Sequence, residues 1–174
     1  MNTLTIYQIL IVLLPLSGFL VAVLSPRSMK KSYIAEVSIM FVSLLMAAFL
    51  FITKIHDYPD ETIRYSFVLF SLSGAGEGFK FMVDLTMDNM TVSLLFMVTL
   101  ISFLVHFFSL EYMHDEPLKN RYFGYLGLFT FSMLGLLSTG SIMFIYIFWE
   151  LVGLSSYLLI GFWGFKDEAA NACS

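Results

Sequence analysis

Charge is scarce in this chain. Of its 174 residues only 13% are Asp, Glu, Lys or Arg, while 59% are apolar and 17% aromatic. A soluble domain carries about 25% charged and about 45 to 50% apolar residues, so there is too little polar surface here to cover a body folded in water. Cysteine is nearly missing: Cys173 is the one cysteine, which excludes an internal disulfide or a cysteine-built metal cluster. The histidines His56, His106 and His114 lack HxxxH or related metal spacing, and neither a GxGxxG loop nor a P-loop occurs. Basic runs are missing too, and with a net charge of -4 nothing neutralises phosphates, which argues against a nucleic-acid partner. Any cofactor is therefore expected on other polypeptides.

What the chain has is long apolar runs, with a mean hydropathy of +0.85. They predict an all-α transmembrane fold with spans at 4–24, 33–53, 89–110, 122–139 and 142–163, forming a single membrane domain over 1–174. The first run lacks a basic flank and a small-residue cleavage site, so it reads as a retained span. Glu36, at the start of the second, is expected at the interface, where the helix dipole favours it. Residues 54–88 change character, gathering His56, Asp57, Asp60, Glu61, Arg64, Glu77, Lys80, Asp84 and Asp88. Within them 62–70 and 79–85 are β-branched and aromatic and flank a Gly-rich tip at 73–78, which predicts a β-hairpin on the membrane surface. Gly140-Ser141 is so short a link that the last two spans must be antiparallel. Five spans put Arg27, Lys30, Lys31, Lys119, Arg121 and Lys166 on one side, against Lys54, Arg64 and Lys80 on the other. The richer side is expected to be cytoplasmic, with the N-terminus outside and the C-terminus inside.

Two ionisable residues stand inside spans. Glu150 lies about eight positions into the fifth, on the order of 12 Å below the surface, too deep for its side chain to reach water. A charged form there costs on the order of 2 to 3 kcal/mol unless a partner or water offsets it. Hydrocarbon favours the neutral carboxyl and an adjacent cation the charged one, so the group is suited to taking up and releasing a proton. The plainer alternative is a carboxyl that hydrogen-bonds a neighbouring helix. Tyr146, Glu150, Gly153, Tyr157 and Gly161 share one stripe, small or polar, and are expected to face protein. His106 lies on a polar seam with Thr91, Thr99, Ser102 and Ser109, and is a second candidate relay. Its alternative is a histidine satisfied by a backbone carbonyl. Gly124, Gly127, Gly135 and Ser138 in the fourth span read as close helix packing.

The run Trp149-Glu150-Leu151-Val152-Gly153-Leu154-Ser155-Ser156-Tyr157 and its continuation to Trp163 resembles a helix of the antiporter-like subunit L family of NADH-quinone oxidoreductase, the proton-pumping complex I. The likeness extends through Tyr122-Phe123-Gly124-Tyr125, Ser102-Phe103-Leu104-Val105-His106 and Glu111-Tyr112-Met113-His114-Asp115, and to the hairpin. It implies a proton-translocating subunit of an enzyme complex in the cell inner (plasma) membrane, partnered by other complex I membrane subunits and the lipid bilayer. NADH, FMN, iron–sulfur clusters and quinone would sit on other subunits, with no catalysis by this chain alone. It also implies that Glu150 pairs with a lysine two helices later. Family members have about 14 to 16 helices in inverted repeats. None of the nine basic residues here is expected within a span. Either the chain is an N-terminal fragment or a second polypeptide supplies that lysine. An Mrp-type cation/proton antiporter, a membrane-bound hydrogenase subunit and an inactive membrane piece are the competing readings.

Overall fold

The computed structural model describes residues 3–24, 32–59, 61–72, 79–116 and 118–163. The basic turn at 25–31, the hairpin tip at 73–78, Lys166 and Cys173 lie outside them. Five helices form, α1 (Thr3–Leu24), α2 (Ser32–Asp57), α3 (Asn89–Tyr112), α4 (Lys119–Ser138) and α5 (Ile142–Ile160), with strands β1 (Ile63–Leu72) and β2 (Phe79–Met87) between α2 and α3. The chain is an all-α membrane fold carrying one small hairpin. Helices are the expected solution in hydrocarbon, because each satisfies its own backbone polar groups. Four of them, all but α4, are long and apolar enough to cross a membrane.

α4 departs from that pattern because of where it sits. It packs against α1, α3 and α5 and touches α2, and its buried residues include Phe123, Gly124, Gly127, Thr130, Ser132, Leu134, Gly135 and Ser138. A helix enclosed by other helices has little lipid face to grease. A methyl at Gly124 would meet Ala22 and Phe19 of α1, and one at Gly135 would overlap the Phe148 ring of α5, so both glycines mark close helix approach.

α1 runs unbroken through Pro15, which has no N–H to give the carbonyl of Ile11 four residues earlier. Ser43 of α2 supplies the missing donor, with its hydroxyl 3.4 Å from that carbonyl. The hairpin is antiparallel from Ile63 opposite Met87 to Leu72 opposite Phe79, with a register shift between Val68 and Phe70. β2 then passes directly into α3, where Asp88 caps the helix by accepting the Thr91 N–H at 2.6 Å. That bond holds the Asp88 carboxyl below its ordinary range.

β2 is tied to the bundle from two further sides. Gln8 of α1 donates to the Thr86 carbonyl (2.9 Å), and the Gly140 N–H donates to the Asp84 carbonyl (2.8 Å). The starts of α1, α3 and α5 and the ends of α2 and α4 therefore gather at the hairpin end. An apolar core of Leu4, Ile11, Ala47, Leu50, Met87, Val92, Leu95 and Leu134 fills that half.

α2 continues to Asp57, past the expected end of its span, because Lys54 is not where the sequence put it. Lys54 is fully buried within α2, a helix long and apolar enough to span, which corrects the expectation that no basic residue lies within a span. Its ammonium donates to the Tyr58 carbonyl (2.5 Å) and to Asn89 Oδ1 (3.1 Å), while Asn89 Nδ2 donates to the Pro59 carbonyl (2.6 Å). The cation thus sits at the C-terminal end of its own helix, on the carbonyl of the residue that follows it, where the dipole favours it.

Candidate functional site

Glu150 is exposed on the outer face of α5, and so are Tyr146, Gly153, Tyr157 and Gly161. The expectation that this stripe packs inward does not hold among the described residues. α5 leans on α4 through its other side, with Phe148 against Phe131 (ring centroids 5.6 Å apart) and Ser155 as its one fully buried described residue. Nothing described lies within 4 Å of a methyl placed at Gly153 or Gly161.

His106 is enclosed, with 0% of its surface exposed. Its Nδ1 lies 2.8 Å from the Ser102 carbonyl, the backbone satisfaction weighed as the plainer reading. A carbonyl only accepts, so Nδ1 carries hydrogen and Nε2 of the neutral ring is left as an acceptor. The polar seam around it faces the bundle, with Thr99 and Ser109 buried and the Ser102 hydroxyl hydrogen-bonded to that of Thr130.

What His106 Nε2 meets was not anticipated. Glu36, expected at the interface, is fully buried, and its Oε1 lies 3.9 Å from that nitrogen. The carboxyl occupies space that a Cβ at Gly18 of α1 or at Gly127 of α4 would claim. α1 to α4 thus converge on one acid. Neither carboxyl oxygen nor His106 Nε2 has a hydrogen-bond partner among the described residues. Phe123 closes the cluster toward the end opposite the hairpin, its ring centroid 6.0 Å from that of His106 and 5.7 Å from that of Tyr33. The Lys119 ammonium stands 4.7 Å over the Tyr33 ring.

A signal for Glu36 was present in the sequence. Ser32, Glu36, Met40, Ser43, Ala47, Leu50 and Lys54 recur at steps of four and three and form the buried stripe of α2. Ile34, Phe41, Val42, Leu45, Phe49 and Ile52 cover the outer face. Weighing the face rather than distance from the helix end would have buried both Glu36 and Lys54.

These features define a multi-pass helical membrane protein with ionisable side chains held inside its helices. Residues 74–123 match the family described as NADH-ubiquinone oxidoreductase (complex I), chain 5 N-terminus, and residues 139–174 the family described as NADH:quinone oxidoreductase/Mrp antiporter, TM. The chain is 37% identical to NADH-quinone oxidoreductase subunit L of Neisseria meningitidis serogroup B over 98% of its length, which is 25% of that protein. It is 38% identical to subunit L of Pseudomonas aeruginosa (92% of this chain, 26% of the relative), and 36% identical to the chloroplastic NAD(P)H-quinone oxidoreductase subunit 5 of Marchantia polymorpha (91% and 24%). The chain belongs to this subunit L and subunit 5 family, and spans about a quarter of the length of the curated relatives it matches.

Proposed function

We propose that this chain works as part of a proton-translocating membrane subunit of a complex I-type NADH-quinone oxidoreductase. Electron transfer by other subunits, which hold NADH, FMN, iron–sulfur clusters and quinone, would drive proton movement through this one. Glu150 is the relay carboxylate and His106 a second relay. The observation that carries the reading is the position of Glu150, the ninth residue of α5, on a face the other four helices leave bare. A charged carboxylate there would face acyl chains at a cost of about 2 to 3 kcal/mol. Protein from the rest of the subunit or from a neighbouring subunit, bringing a cation, removes that cost and gives the acid a partner whose charge controls its proton. With Lys119 and Arg121 opposite the hairpin, and Arg27, Lys30 and Lys31 lying in sequence between α1 and α2, the positive-inside rule turns that end to the cytoplasm of a cell whose inner membrane holds the complex.

The test is Glu150→Gln in the full-length subunit within the assembled complex. Proton uptake into membrane vesicles should fall severalfold while the complex still assembles; unchanged uptake per NADH oxidised refutes the role. The family description shared with Mrp antiporters favours one competing reading, cation/proton exchange. Sodium-driven proton movement without NADH would select it.

A further inference from the structure

We propose that Glu36 and His106 form a second ionisable site, a couple that holds one exchangeable proton on the side of the bundle opposite the hairpin. The argument starts from the tautomer. His106 Nδ1–H is committed to the Ser102 carbonyl, so in the neutral ring Nε2 offers a lone pair toward Glu36 Oε1, 3.9 Å away. With the acid ionised and the imidazole neutral, two acceptors would confront each other with no donor between them. Adding one proton resolves this in either of two ways, as Glu36 carboxylic acid donating to Nε2 or as imidazolium donating to the carboxylate. The two forms are tautomers, and moving between them shifts a single proton from Oε1 to Nε2 with no other bond made or broken. A second proton would leave the imidazolium facing a neutral acid, with no counter-charge in a fully buried site.

Among the described residues, the surroundings supply no competing ion. α1 carries no Asp, Glu, Lys, Arg or His at all. From α2 the group that faces the couple is Glu36 itself, and from α3 it is His106. α4 presents Gly127 and Phe123, and its Lys119 is held outside, over Tyr33. The 3.9 Å gap exceeds a hydrogen bond, so a small side-chain movement or one bridging water completes the link. Gly18 and Gly127 leave the carboxyl its space. One turn from His106, the Ser102 hydroxyl joins that of Thr130, and both line a cavity of about 290 Å³ that Leu159 of α5 also borders. The couple's part in transport rests on the proposed function; its one-proton occupancy does not.

Infrared spectroscopy of the full-length subunit in its complex tests the occupancy. At neutral pH the unsubstituted protein should lose one proton-sensitive band, carboxylic C=O or imidazolium, on Glu36→Gln, and Glu36→Asp, which keeps the acid, should shift that band rather than abolish it. Spectra in which Glu36→Gln removes only an ionised carboxylate signal, with His106 neutral, overturn the couple. Proton uptake per NADH should fall at least twofold in Glu36→Gln; wild-type uptake with the band lost overturns its part in transport, while leaving the Glu150 test to stand or fall separately.

Discussion

Gly18 offers the sharpest test of how the Glu36 carboxyl is held. A methyl there would overlap both carboxyl oxygens, and the carboxyl is bounded on its other side by the backbone of α4 at Gly127. Overpacking of this kind costs about 1 to 3 kcal/mol. Replacing glycine by alanine in a helix returns about 0.8 to 1 kcal/mol through propensity. Gly18→Ala should therefore lower stability by up to about 2 kcal/mol when Glu36 is present. In a Glu36→Ala background the obstruction is gone, the new methyl fills vacated space, and the same substitution should stabilise by up to about 1 kcal/mol. The difference, a coupling energy of about 1 to 3 kcal/mol, is what a double-mutant cycle reads, with unfolding in detergent measured on all four proteins. If Gly18→Ala has the same effect in both backgrounds to within about 0.5 kcal/mol, the carboxyl does not occupy the space between α1 and α4, and the reasoning about the couple's cradle is wrong.

Two further substitutions probe how the bundle is closed. Ser43→Ala removes the donor to the Ile11 carbonyl and should cost about 1 to 3 kcal/mol, but only about a third of that after Pro15→Ala, which restores a backbone N–H for the same carbonyl; equal costs in the two backgrounds, in thermal unfolding, would contradict the pairing. Asp88→Ala should loosen the first turn of α3 by about 1 kcal/mol, read as faster hydrogen exchange at Thr91. Because the folded Asp88 carboxyl lies below its ordinary value of 3.8, its contribution is complete above that value and disappears as pH falls through the lower folded one. Asp88→Ala and the unsubstituted protein should therefore converge in stability at strongly acid pH, and a difference that persists there counts against the cap.

Apolar run length made the helices legible, and β-branched strands around a Gly-rich tip did the same for the hairpin. Helical spacing also grouped His106 with Thr99 and Ser109 on one face, and all three are buried. Two kinds of information were not local. Whether Glu36 lies at an interface or in the interior depends on Gly18 and Gly127, residues of other helices whose missing side chains make the room. Which side of α5 meets α4 depends on the fit of Phe148 against Gly135 and Phe131, a packing choice that a stripe of Tyr, Glu and Gly does not reveal. Lys54 was misplaced for a related reason, since its enclosure is completed by Asn89, 35 residues later in the chain.

The lipid rule, applied helix by helix, isolates α5. In α2 most of the large apolar residues face outward, while Ser43, Ala47, Glu36 and Lys54 are buried, which is the arrangement hydrocarbon selects. α3 agrees, turning Leu104, Phe107 and Phe108 outward and Thr99, His106 and Ser109 inward. α5 carries the reverse on one side, with Glu150, Gly153 and Gly161 outward and Phe148 turned toward α4. Ile142, Leu154 and Ile160 still give the helix greasy positions elsewhere on its surface, so the departure is confined to one stripe rather than spread around it. A stripe that leaves a carboxyl and two glycines bare has the composition of a helix–helix contact and not of a lipid face. The relatives are about four times as long as this chain, and under the proposed function the polypeptide covering the stripe would come from such additional length or from a neighbouring subunit. If Glu150 is the relay carboxylate proposed above, its cation is not Lys54, which is buried at the hairpin end and already committed to Tyr58 and Asn89.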